Sequence, residues 1–197
     1  MNSDNCYLNP SDPRGYMRGW EGWDHPEREF ILEQVGEEES FLDIGCGSGI
    51  TYESIVRHLR EDIKYKGVDY SRKFITACEE LFPEAEWEKQ SANKLREEDN
   101  SWDVTYIRNS LECMRYYDKP IKEAMRVAKR LGIFTFWNLF PDNVDDIKKE
   151  GTRTWGNRYG QKKLEAFLEK HWTYSYAFIE HEENGRYLGR HVYIAEK

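Results

Sequence analysis

The sequence predicts an α/β fold: a doubly wound, mostly parallel seven-stranded sheet with helices on both faces and a C-terminal antiparallel hairpin. Three observations predict it. Short apolar runs alternate with helical stripes, and such alternation implies parallel strands joined by right-handed crossovers. Between the first run and the first stripe stand three glycines on alternate positions, Gly45, Gly47 and Gly49. Near the end, Asn184-Gly185 separates residues 173–179 from residues 186–195, a strong hairpin signal.

The elements follow in order. Residues 1–13 are polar and carry two prolines, which predicts a loose start. Residues 15–23 hold three glycines and three large aromatics without a regular period, an arm that either tucks onto the domain or covers a ligand. Pro26 suits the first turn of a helix reaching about Val35, with Asp24 as its cap. Phe41, Leu42 and Ile44 form a buried parallel strand. After the glycines, Tyr52, Ile55, Val56 and Leu59 form a helical stripe. Residues 63–69 are the second strand. Ser71 caps a helix striped by Phe74, Ile75, Cys78, Leu81 and Phe82. The third and fourth strands are residues 85–89 and 102–107. Asp118 and Pro120 open a helix with Ile121, Ala124, Met125 and Ala128 on one face, which Gly132 ends. The fifth strand is residues 133–137. Residues 141–160 are polar and broken by glycine. Leu164, Phe167, Leu168 and His171 mark the last helix. The whole is expected as one domain over residues 1–197, with residues 1–36 as an N-terminal arm and helix and 138–160 as a candidate substrate lid.

Composition narrows the function. A chain of 197 residues can bury a sizeable core. No run reaches the apolar length of a membrane span, and the N-terminus has no signal-peptide core. The net charge of −8 argues against a broad nucleic-acid footprint. The four cysteines lie far apart without a Cys-x-x-Cys, which fits reduced thiols in a cytoplasmic protein and predicts no metal site.

The glycine stretch points to a ligand. Between strand and helix, glycines permit a tight turn and let a ligand approach the backbone. The dinucleotide fingerprint needs a third glycine where Ile50 stands, so its spacing fails. Asp43, two residues before the turn, disfavours a pyrophosphate and suits a cation. The run from Phe41 to Gly49 resembles the first motif of the class I S-adenosylmethionine (SAM)-dependent methyltransferases: an apolar strand, an acidic residue and Gly-x-Gly-x-Gly. The resemblance extends over roughly residues 41–197.

The resemblance implies a cofactor site at the carboxyl ends of strands one and four. Gly45, Cys46 and Gly47 would hold the methionyl part of SAM, with Asp43 orienting the turn and favouring the ammonium. Val68-Asp69-Tyr70-Ser71 resembles the second motif: Asp69 would accept the ribose hydroxyls and Tyr70 would lie against the adenine. Ser91 and Ala92 occupy the place of the adenine motif, although the family commonly has an acidic residue where Ser91 stands. The segment from Arg108 and Asn109 to Met114 resembles the Leu-Glu-His segment of small-molecule methyltransferases of the ubiquinone-biosynthesis type, with Cys113 at the His position. No Asn/Asp-Pro-Pro-aromatic run marks an enzyme that methylates amino groups of nucleic-acid bases or glutamine.

For the acceptor, the candidates are Tyr16, Trp20, Trp23, His25, Trp137, Trp155 and Tyr159. The basic stretch 148–163 is either a solvated loop or a lid for an acidic acceptor. No general base is assigned. The expectation is a SAM-dependent methyltransferase acting on a small molecule. Alternatives are a non-catalytic SAM-binding subunit or sensor, a protein or RNA methyltransferase, and an NAD-dependent oxidoreductase, the last disfavoured by Ile50 and Asp43.

Overall fold

A computed structural model describes residues 26–35, 40–56, 60–150, 154–183 and 186–197. The arm with Tyr16, Trp20, Trp23, Asp24 and His25 lies outside the described residues, as does Leu59.

Seven strands form the main sheet. In chain order they are β1 (Ser40–Ile44), β2 (Lys64–Asp69), β3 (Glu86–Lys89), β4 (Trp102–Arg108), β5 (Ala128–Phe136), and the long pair β10 (Thr173–Glu183) and β11 (Arg186–Glu196). Between β5 and β10 lie four two-residue strands, β6 (Leu139–Phe140), β7 (Lys149–Glu150), β8 (Thr154–Trp155) and β9 (Tyr159–Gly160). The spatial order is β10-β11-β5-β4-β1-β2-β3. β3, β2, β1, β4 and β5 run parallel, and β11 and β10 are antiparallel. The chain builds outward from β1 to β3 and then returns to place β4 against the other side of β1. That reversal opens a crevice at the carboxyl ends of β1 and β4, where open parallel sheets accept ligands.

Helices cover both faces. On one, α1 (Pro26–Val35) and α2 (Arg72–Leu81) bury Ile31, Val35, Ile75 and Cys78 against Phe41, Tyr65 and Val104. On the other, α3 (Asp118–Val127) and α4 (Gln161–His171) bury Ile121, Ala124, Leu164 and Leu168 against Leu42, Ile107 and Phe134. Ser71 caps α2 as expected, its hydroxyl accepting from the Phe74 N–H at 3.5 Å. Among the described residues, no helix is long and apolar enough to cross a membrane.

Three expectations need correction. The turn after the glycine loop, Tyr52–Val56, is π-helical rather than α-helical, with Arg60 N–H donating to Ile55 C=O five residues back at 3.1 Å. Such wide turns leave one residue more per turn than the 3.6 period assumes. Next, α3 ends at Val127, and Ala128 already stands in extended backbone as the first residue of β5. Gly132 therefore ends no helix. It lies inside β5, where a Cβ would come within 2.4 Å of Met125 Sδ and 2.7 Å of Phe134 Cζ. Its missing side chain lets α3 pack close to the sheet. Last, residues 141–160 are not an unstructured polar loop. β6 pairs with β9, β7 with β8, and Asp146 bridges to Arg158.

Candidate cofactor-binding site

The glycine loop is built from positive φ angles. Gly45, Gly47 and Gly49 have φ of +80°, +55° and +80°, a region that residues with a Cβ enter only with strain. The alternation in the sequence thus has a backbone cause. The loop is fastened from below: the N–H groups of Gly45 and Cys46 both donate to Val68 C=O, at 2.7 and 3.1 Å. The approach on the other side is close as well, since a Cβ on Gly45 would stand 2.5 Å from Ser110 Oγ across the crevice. Tyr52, Tyr65, Phe82 and Trp87 pack under the loop with ring centroids 5.0–6.1 Å apart.

Asp69 closes β2 and joins the loop to α2. Its Oδ2 accepts from Gly47 N–H at 3.1 Å and its Oδ1 from Ser71 N–H at 2.7 Å. Each oxygen keeps a lone pair for a further donor. Burial pushes this carboxyl up to about 6, while the backbone N–H groups of Ser71, Gly47 and Tyr70 pull the other way. Tyr70, next in sequence, has a ring 52% exposed, with Lys89 Nζ 5.6 Å from its centroid. Gln90 N–H donates to Asp69 C=O at 2.9 Å, which brings Ser91 and Ala92 to the same end of the sheet. The Ser91 hydroxyl accepts from Asn93 N–H at 3.3 Å.

Asp43 is buried in β1 beneath the loop. Its Oδ2 accepts from the Tyr65 hydroxyl at 2.7 Å. Its Oδ1 is buried without a hydrogen-bond partner among the described residues. Desolvation raises this carboxyl to about 6, opposed by the hydroxyls of Tyr65 and Thr51 and the charge of Arg108. A carboxylate inside an apolar strand with one oxygen unsatisfied suits a cationic ligand. The resulting set fits SAM in chemical type: a carboxyl for an ammonium, a second carboxyl with open lone pairs for two hydroxyls, and an exposed ring for a base. Cys46 is buried, and its thiol is pushed well above its ordinary value by burial, so it is not a nucleophile. No group of three or more His, Cys, Asp or Glu among the described residues is placed to hold a metal ion.

At the end of β4, Asn109 takes a positive φ of +48°. Its N–H donates to Thr135 C=O at 3.2 Å and its Oδ1 accepts from the Thr135 hydroxyl at 3.2 Å. Arg108 does not point into the crevice as a ligand contact. Its Nη2 pairs with Glu27 Oε2 of α1 at 3.1 Å, and Glu27 Oε1 also accepts from the Tyr106 hydroxyl at 3.2 Å. Arg108 therefore acts on Asp43 as a nearby charge.

The acceptor candidates separate. Trp137, just after β5, and Trp155 in β8 are both half-buried, and the Arg115 guanidinium lies 5.5 Å from the Trp155 ring. Tyr159 is a correction. It is fully buried, and its hydroxyl lies 2.8 Å from Met114 C=O and 3.1 Å from Leu111 C=O, a pin rather than a pocket wall. Gly160, expected as a hinge, is a packing glycine whose Cβ would meet the 142–144 backbone at 2.8 Å. The basic stretch is partly neutralised, as Lys163 pairs with Asp145. Sequence reasoning missed Tyr65, Glu27 and Glu112. Tyr65 was discoverable, because a buried Asp43 requires a donor. Glu27 carries no such signal, since an acidic residue in a first helical turn is ordinary.

Residues 42–136 match the family model described as Methyltransferase domain. The chain is 30% identical over 95 residues to the ubiquinone/menaquinone biosynthesis C-methyltransferase UbiE of Campylobacter jejuni, covering 46% of this chain and 40% of that protein. It is 27% identical over 104 residues to phthiotriol/phenolphthiotriol dimycocerosates methyltransferase 1 of Mycobacterium ulcerans, covering 52% and 38%. The matches thus span about two fifths of those curated relatives. A SAM-dependent methyltransferase structure from Methanosarcina mazei superposes with a TM-score of 0.69 at 20% identity, over 88% of this chain and 98% of that one, which shows a shared fold.

Proposed function

The chain belongs to the class I SAM-dependent methyltransferases, and we propose that it transfers a methyl group from SAM to a small-molecule acceptor by in-line displacement. The observation that carries this reading is Asp43 Oδ1, a buried carboxylate oxygen without a protein partner beneath a three-glycine loop. SAM supplies a methyl group already activated by its sulfonium. The chain's residues have to bind, align and exclude water. In this reading Asp43 favours the ammonium and the backbone of Gly45, Cys46 and Gly47 lines the methionyl end. Asp69 accepts the ribose hydroxyls through the lone pairs that Gly47 and Ser71 leave open. Tyr70 lies against the adenine, with Ser91 and Ala92 at its edge, and Asn109 borders the crevice opposite the loop.

The small-molecule acceptor is supported by the names of the curated relatives. We read the 138–160 segment, with Trp137 and Trp155, as the acceptor side of a single domain, and the protein as cytoplasmic. The free thiols of Cys46, Cys78 and Cys113 support the last point. Calorimetry tests the core of the proposal. SAM and S-adenosylhomocysteine should bind in the micromolar range and NAD should not. Tight NAD binding without a response to SAM would overturn it. A broad acceptor panel, run with and without cellular extract, then separates an enzyme from a SAM-binding subunit.

A further inference from the structure

Glu112 has no solvent exposure, although it stands in the short turn after β4 that borders the crevice. Acidic side chains are almost never buried this completely without a specific reason. Its Oε1 accepts from Trp137 N–H at 2.8 Å, which ties the end of β5 to the turn. Its own C=O accepts from Asn157 N–H at 2.9 Å, which ties in the segment before β9. The Asn157 carboxamide reinforces the junction, donating to Met114 C=O and to the Tyr159 hydroxyl. The second carboxyl oxygen, Oε2, is buried without a hydrogen-bond partner among the described residues. One side chain therefore sits where the crevice wall, the exit of β5 and the 155–160 segment meet.

We propose that Glu112 is a positioning residue for the acceptor side of the site: as an uncharged carboxylic acid it clamps Trp137 and the Asn157–Tyr159 stretch against the turn after β4, and ionisation loosens that clamp. The proposal rests on residues 138–160 forming the acceptor side. An ionised Glu112 would leave a buried charge with Oε2 unsatisfied, which favours opening the junction to water. Desolvation pushes the carboxyl up to about 8, against the pull of its own N–H, those of Trp137 and Asn138, and the charge of Arg190. Arg190 from β11 and Tyr159 from β9 are the charged and titratable groups that face it. For an acid raised above its ordinary value of 4.5, the folded state holds the proton more tightly. Its stabilising contribution is complete below that value and is lost as pH rises to about 8. Asp43 and Asp69 finish their change near 6, so the interval above 6 reports Glu112.

Hydrogen exchange on the full chain tests this, at about pH 6.5 and about pH 9 with correction for the intrinsic chemical rate. Wild type should lose about tenfold protection at Trp137 and residues 155–160 on going to the higher pH, with the glycine loop unchanged. Glu112→Gln keeps the shape and cannot ionise, so its protection should be the same at both pH values. Glu112→Ala should be loosened at both. The proposal is overturned if wild type shows no pH change in these segments, or if Glu112→Gln shows the same change. That comparison decides even where Glu112→Ala fails to fold. S-adenosylhomocysteine titrated into the same proteins separates the premise from the proposal. Failure of wild type to bind it removes the cofactor reading. A loss above about tenfold in Glu112→Gln alone would put Glu112 on the cofactor side and overturn the assignment.

Discussion

Two carboxylates, Asp43 and Asp69, carry the cofactor half of the site, and both are pushed up to about 6 by desolvation. The sign of the consequence differs for folding and for binding. A folded pKa above the ordinary 3.8 means that the folded state holds protons more tightly, so stability falls as pH rises from about 4 to about 6. A cationic or hydroxyl-rich ligand prefers the ionised carboxyls, so its affinity should rise over the same interval. S-adenosylhomocysteine binding should weaken by about tenfold per pH unit below 6 for each carboxyl that has to ionise. Calorimetry across pH checks this, and Asp43→Asn should flatten part of the slope. Asp69→Ala should cost at least about tenfold in affinity, because hydrogen bonds to charged groups are worth about 1.5–3 kcal/mol each. Unchanged affinity would take Asp69 out of the site.

Elements explain why glycines at similar places in the sequence do different work. In the loop after β1 they supply positive φ. In β5 Gly132 supplies space, and the sequence offers no way to tell the two apart, since a glycine after a helical stripe is also the usual stop signal. Gly132→Ala should destabilise the fold by about 1–3 kcal/mol through overpacking against Met125 and Phe134, measured by denaturant unfolding. It should leave the site's chemistry intact, because it acts on the α3–β5 contact. A neutral result would mean that α3 can shift away from the sheet. The first helix shows the converse. Its Glu27 looks like an ordinary first-turn acid, yet it receives both Tyr106 and Arg108 and so anchors α1 at the end of β4 that borders the crevice.

At the scale of the molecule, the sheet divides the labour. Strand ends supply the cofactor half, and the segment between β5 and α4 is the proposed acceptor half. That segment is tied down at its second end by Asn157 and Tyr159, so any movement has to occur before residue 157. Trp155, half-buried beside Arg115, lies on the movable side of that anchor. Trp155→Ala should therefore lower turnover by more than tenfold while S-adenosylhomocysteine affinity changes by less than about threefold. Equal losses in both would show that Trp155 supports the cofactor half instead.

Local pattern determined much of this protein. The strand–helix order, the hairpin, the Ser71 cap and the places of Asp43, Gly45, Gly47 and Asp69 at strand ends follow from periodicity and backbone chemistry, which act over a few residues. Partners across the sheet were decided only by tertiary structure. Tyr65 meets Asp43 because β2 pairs with β1. Glu27 meets Arg108 from a distant helix, and Glu112 and Tyr159 are buried because three separate segments converge on one turn. Burial and pairing between residues far apart in the chain depend on packing, and no local spacing encodes them.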